Sequence, residues 1–272
     1  MIPTKAMTPY VPESPEEISA EALLCSKLGA AMVHIHARDD EGKNTYKKEV
    51  FADIINRIRK INKEIVIVVS TSGRHYPEYK YREVVLDLDG SVKPDMASLT
   101  LGSVNFNKTV SISPPDVIIK LAEKMKNRGI KPELEIFDLG MVNFAKYLIG
   151  KGLIEQPYYF NIIMGNIATA QPKLLHLGLI VSELPENSIW SVGGVGKWQN
   201  KINAISVASG EGGVRVGLED NIWYDDARTI YATNEMLVKR VVKLAEIVGR
   251  PLATPEDVRK NLRLKKYDSL CL

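Results

Sequence analysis

Residues 14–39 read SPEEISAEALLCSKLGAAMVHIHARD, and their order decides how the chain folds. Ser14 can cap a helix, Pro15 suits its first position, and Glu16 and Glu17 lie where the helix dipole is positive. The predicted helix ends near Leu28, with Gly29 as its stop. Ala31 to His36 then reads as a buried strand, a short apolar run bounded by turn signals. The first strand of a doubly wound dinucleotide-binding sheet is followed by G-x-G-x-x-G. Here Ala37-Arg38-Asp39 follows instead, so a parallel barrel is the favoured reading.

Working outward, the alternation continues. Strands are predicted over 65–69, 95–101, 133–137, 158–163, 188–192 and 214–218, and helices over 48–61, 115–128, 142–150, 172–182, 197–209 and 233–248. Thr254-Pro255-Glu256 starts a closing helix by the capping logic of the first. Strands alternating with helices imply a parallel sheet covered on its faces. The expected fold is an α/β, (β/α)8 TIM barrel formed by residues 1–272 as one domain. Such a barrel begins with a strand, whereas this sequence opens with a loop and a helix. The expectation is that the first strand lies upstream of Met1.

Composition narrows the function. The formal net charge of +3 over 272 residues gives no electrostatic case for nucleic acid. Lys260, Arg263, Lys265 and Lys266 read as a solvated helix end. Cys25 and Cys271 form neither a ligand spacing nor a disulfide framework. With no signal peptide and no membrane-length apolar run, a cytoplasmic protein is expected.

His34-Ile35-His36 carries the sharpest chemical signal. In a strand, residues two apart face the same side, so both imidazoles would meet near the carboxyl end, where parallel barrels keep their active sites. Two neutral imidazoles suit zinc or a similar ion, although a hydrogen-bonded pair in a polar core has the same pattern. Arg215-Val-Gly-Leu-Glu219-Asp220-Asn221 runs off the last strand. Strand parity would put Arg215, Gly217 and Glu219 on one face, where Glu219 could complete a His-His-Glu set. Ser70-Thr71-Ser72-Gly73 and Ser98 end neighbouring strands and could hold a carboxylate or form ordinary turns. Gly193-Gly194-Val195-Gly196 admits a phosphate site or a tight turn. Arg74 and His75 could reach the pocket, and His176 is assigned no role.

These stretches, with PESPEEI (12–18), GAAMVHIHARD (29–39), STSG (70–73), PDMASL (94–99), PELEIFDLGM (132–141), RVGLEDN (215–221) and ATPEDVR (253–259), closely resemble the β-keto acid cleavage enzymes. The resemblance covers nearly the whole chain. It implies a metal-dependent barrel in which a β-keto acid reacts with acetyl-CoA to give acetoacetate and a new CoA thioester. It implies His34, His36 and Glu219 as ligands of Zn2+ or another divalent cation. It also implies Asp220, oriented by Arg215, as the base, and keto-acid contacts at Ser70, Gly73 and Ser98. A homotetramer is implied as well.

The sequence departs from the family at three places. Ile2 stands where the type member has a substrate-contacting glutamate, Gly213 where the family often has His, and the Gly73–Pro77 stretch is longer. A different pocket over the metal is therefore expected. Two other readings stand beside this one: a metal-dependent hydrolase on the same barrel, and a metal-stabilised binding protein without turnover.

Overall fold

A computed structural model describes residues 3–265. Ile2, Lys266 and Cys271, singled out above, lie outside the described residues.

Seven strands form one parallel sheet in chain order: β1 (Met32–Ile35), β2 (Val66–Val69), β3 (Met96–Thr100), β6 (Lys131–Ile136), β7 (Tyr158–Met164), β8 (Ser188–Gly194) and β9 (Gly213–Val214). A short antiparallel hairpin, β4 (Val104–Asn105) and β5 (Val110–Ser111), follows β3 and had no counterpart in the predicted elements. The helices are α1 (Pro15–Lys27), α2 (Lys48–Ile61), α3 (Tyr79–Arg82), α4 (Pro115–Arg128), α5 (Leu139–Gly150), α6 (Leu174–Ser182), α7 (Gln199–Ser209), α8 (Asn234–Ile247) and α9 (Pro255–Leu262). Among the described residues, no helix is long and apolar enough to cross a membrane.

Local chemistry sets these boundaries. Ser14 and Glu17 form a reciprocal capping box that starts α1, and Thr254 and Asp257 do the same for α9. The four residues of β2 are β-branched and fully buried, as a strand covered on both faces requires. On α2, Ile54, Ile55 and Ile58 bring an apolar stripe into the layer between sheet and helices. Truncating one of them to Ala would cost about 2–5 kcal/mol.

The sheet's concave face has two zones. Towards the amino ends of the strands, Met32, Val66, Val68, Met96, Tyr159 and Ile189 form an apolar plug, which α9 covers with Leu262. Arg259 of α9 donates to the buried Asp95 at 2.7 Å and Arg59 of α2 closes the other side of that carboxylate. Towards the carboxyl ends the inward residues turn polar: His34, Ser98, Glu133, Asn161, Ser191 and Arg215.

β1 and β9 are the sheet's edges, yet residues just beyond them, His36 and Glu219, approach to 3.2 Å. The sheet is therefore curled into an open barrel. A cavity of about 630 Å³ lies between the edges, walled by Val33, Trp190 and Val214 and by Ala22 and Val241 of α1 and α8.

One predicted element is shorter than expected. The last strand stops at Val214 rather than Leu218. The amides of Asp220 and Asn221 both bond to the Gly217 carbonyl, making a tight turn. Remote side chains anchor it: Gln199 donates to the Gly217 carbonyl and Asn234 accepts from the Leu218 amide, each at 3.0 Å. Glu219 thus reaches the site from a turn and not through strand parity.

Candidate metal centre

β1 delivers His34, and the extended residues after it deliver His36; their ring centroids are 5.1 Å apart. The turn after β9 adds Glu219, whose Oε2 lies 3.2 Å from His36 Nε2. One ligand atom each from His34, His36 and Glu219 falls within a mutual distance of 4.8 Å. Tetrahedral zinc with bonds of about 2.0–2.1 Å separates its ligand atoms by roughly 3.3 Å. The donor set and its spacing therefore fit a divalent cation.

The surrounding groups hold these ligands in suitable states. His34 Nδ1 lies 2.6 Å from Glu133 Oε2, so a proton on Nδ1 leaves the Nε2 lone pair free for a metal. Burial alone would lower the His34 pKa, but the charge and hydrogen bond of Glu133 more than offset it and the pKa is raised. Burial would likewise protonate Glu219, but His36 and Arg215 hold its pKa well below the usual carboxylate range. Glu219 is therefore an anionic donor near neutrality.

Arg215 organises the carboxylates. Its Nε donates to Asp220 Oδ2 at 2.8 Å, and its Nη2 donates to Glu219 Oε2 at 2.7 Å and Asp220 Oδ1 at 3.3 Å. Its Nη1 lies 3.5 Å from Glu135 Oε1 as an ion pair, yet it has no hydrogen-bond acceptor. The guanidinium reaches this position because Gly193 lacks a side chain: a Cβ there would sit 3.3 Å from the Arg215 stem. That close contact accounts for one glycine of the Gly193–Gly196 cluster.

The predicted substrate residues divide. Ser70 and Thr100 line the mouth cavity with His36, Arg215 and Glu219. Ser98 is buried beneath them, its Oγ accepting from the Thr71 amide at 3.1 Å and its carbonyl from the Thr71 hydroxyl at 2.6 Å. Gly73 is buried in the turn, where a Cβ would stand 2.3 Å from the Ile112 carbonyl oxygen. Ser98 and Gly73 thus shape the turn from beneath, while Ser70 reaches the cavity. Arg38 ties the carbonyls of Pro3 and Gly42 together at 2.7 and 2.8 Å at the wall of the large cavity. His75 is exposed and His176 accepts from the Gln171 amide, so neither imidazole joins the pair. Cys25 is buried and its thiol is pushed up to about 12 by burial, which makes it unreactive.

Glu133 and Glu135 were not singled out in the sequence, although both belong to this centre. Glu133 also accepts from Asn161 at 3.2 Å, and Glu135 accepts from the Thr100 hydroxyl at 2.6 Å. Their signal was the same two-residue spacing that marked the histidines, within PELEI. His34, Glu133 and Glu135 are also close enough to share an ion. Glu133 spends both of its oxygens, on His34 and Asn161, whereas the bonds of Glu219 fall on Oε2, which favours the set with Glu219.

A curled parallel sheet with a His-His-Glu group at the carboxyl ends of its strands defines an α/β protein able to carry a divalent metal at an enzyme-like mouth. The chain belongs to the beta-keto acid cleavage enzyme family, whose family model matches residues 1–264. It is 36% identical over 264 residues to the 3-keto-5-aminohexanoate cleavage enzyme of Fusobacterium nucleatum, covering 97% of this chain and 94% of that one. It is 34% identical over 271 residues to the 3-oxoadipate:acetyl-CoA acetyltransferase of Cupriavidus necator, covering 98% and 93%. The fold matches ObcA, solved as a ternary complex with a C4-CoA adduct and oxalate, with a TM-score of 0.84 at 24% identity, covering 96% of this chain and 68% of ObcA.

Proposed function

We propose that this protein transfers an acyl group between a β-keto acid and acetyl-CoA, yielding acetoacetate and a new CoA thioester. The observation that carries the reading is the convergence of His34, His36 and Glu219 within 4.8 Å beside the Arg215–Asp220 pair. His34, His36 and Glu219 would hold the divalent cation, for which we favour zinc; when bound it supplies Lewis-acid polarisation of a keto oxygen.

The chain's own groups account for the proton. Asp220 takes a proton from C2 of the keto acid, and that carbon bonds to the acetyl group as the thioester C–S bond breaks. The thiolate then attacks the original keto carbon, the C2–C3 bond breaks, and Asp220 returns the proton to C2. Carbon, sulfur and proton are all accounted for. Arg215 fixes Asp220 by two hydrogen bonds, which makes it a positioning residue. General-base assistance of this kind is worth about 10²–10⁴-fold. Ser70, at the cavity wall, takes the keto-acid carboxylate, with Gly73 and Ser98 holding the turn that presents it.

The test supplies zinc-loaded protein with a panel of β-keto acids and acetyl-CoA. Acetoacetate should form only with both substrates and metal, and H34A should lose metal and activity together. Activity retained without metal, or no acetoacetate from any keto acid, would sink the reading.

We further propose an eight-stranded barrel, closed by a strand lying between β9 and β1 in the 630 Å³ slot. Backbone amide exchange along both edges would slow when the slot is filled. We place the protein in the cytoplasm, where acetyl-CoA is available. We also infer a homotetramer using the exposed leucines of α6, Leu174, Leu175 and Leu179. Sedimentation equilibrium of wild type against L175E reads that assembly.

A further inference from the structure

A small side cavity opens from the metal mouth and shares His36, Ser70, Ser72 and Arg74 with it. Two of the residues lining this cavity are arginines, Arg74 and Arg82, and none is Asp or Glu. The arginines behind Asp95 and at the metal group have carboxylates. Arg59 and Arg259 share Asp95, and Arg215 faces Glu135, Glu219 and Asp220.

The two lining arginines lack such partners among the described residues. Arg74 lies over the Phe106 ring at 4.2 Å, and its Nε is shut off from water with no acceptor. Arg82 spends its Nε on the Thr71 carbonyl at 2.7 Å and its Nη1 on the Ser113 hydroxyl at 3.2 Å, while its Nη2 is buried without an acceptor. Unbonded buried donors carry a desolvation cost and call for an explanation. An anion in the side cavity would supply the counter-charge that its lining does not give these two guanidiniums.

Size narrows the anion. The cavity offers about 40 Å³, room for about three waters. A carboxylate with its neighbouring carbon fits that space, and a long chain does not. An ammonium group would meet two like charges there.

We propose that the side cavity takes the distal carboxylate of a β-keto dicarboxylic acid, with Arg74 as the specificity-determining residue. This rests on the keto-acid reading of the neighbouring mouth. Arg82 holds the Thr71–Gly73 turn and adds positive potential behind it.

Calorimetry on zinc-loaded full-length protein, without acetyl-CoA, tests this independently of turnover. The probes are 3-oxoadipate and 3-oxohexanoate, equal in length but differing in one terminal carboxylate. Wild type should bind the dicarboxylate about 10- to 100-fold more tightly, the range of a charge-assisted contact. R74Q should cut that ratio at least tenfold, and R74K should retain part of it. A wild-type ratio near one would overturn the proposal. So would equal weakening of both acids by R74Q, which would give Arg74 to the shared carboxylate. Weakening of acetyl-CoA binding alone would assign Arg74 to a phosphate and overturn it too. Tight dicarboxylate binding with no acetoacetate on adding acetyl-CoA would leave this inference standing and sink the acyl-transfer reading.

Discussion

Replacing Glu133 by Gln isolates the electrostatic support of the metal group. In the native site one carboxylate oxygen lies 2.6 Å from His34 Nδ1 and the other accepts from Asn161 at 3.2 Å. Gln keeps the shape and loses the charge. Its carbonyl can still face His34, but its amide then faces the Asn161 amide, donor against donor. Asn161 can relieve this by rotating its own amide, because its Oδ1 has no partner to lose. The ring orientation then survives and the main loss is basicity at His34. Outer partners of this kind are worth about 10–100-fold in metal affinity, or about 1.4–2.7 kcal/mol.

A proton effect opposes that loss. Glu133 raises the His34 pKa against the lowering effect of burial, so the metal-free native site binds a proton more tightly than E133Q would. Below the native His34 pKa that proton competes with metal. The native advantage should therefore be larger at alkaline pH and shrink as pH falls through the raised His34 pKa. Zinc affinities from chelator competition at pH 8.5 and pH 6 read both terms. Affinities within threefold at pH 8.5, or an advantage that grows on acidification, would refute the reasoning.

Two further outcomes are expected. D95N should cost about 3–5 kcal/mol, since it removes the buried carboxylate that the guanidiniums of Arg59 and Arg259, 1% and 4% exposed, share; chemical denaturation showing under 1 kcal/mol would contradict the assigned role. Zinc at 100 times its Kd should stabilise chelator-stripped protein by about 2.7 kcal/mol and raise the Tm by roughly 5–10 °C, with no shift in H34A; equal shifts in both proteins would place the ion elsewhere.

What could be read from the sequence depended on the range of the forces involved. Helix starts at Ser14 and Thr254 were legible because capping is settled within four residues. The His34–His36 pairing was legible because a strand's alternation fixes it locally. The end of β9 was not, because Gln199 and Asn234, on other elements, pull residues 217–220 into a turn. Glu133 was overlooked because a carboxylate in a strand interior has meaning only beside its partner, and His34 lies 99 residues away. The unpaired state of Arg74 likewise rests on what the fold does not place next to it.

The mouth's charges explain why these distant residues form one unit. Glu133, Glu135, Glu219 and Asp220 bring four carboxylates to a partly buried region, and Arg215 contacts three of them. With neutral imidazoles, these five groups sum to three negative charges near His34 and His36, which Arg74 at the mouth offsets only in part. Like charges this close favour either proton uptake or a cation. The proton route shows in the raised pKa of His34, which restores part of the balance by charging an imidazole. A divalent ion restores more of it and releases that proton. The side cavity has the opposite excess, two guanidiniums without a carboxylate. A ligand that places its keto oxygen at the metal group and a carboxylate beside Arg74 would satisfy both regions, so the charge layout would orient the proposed substrate before any shape complementarity is considered.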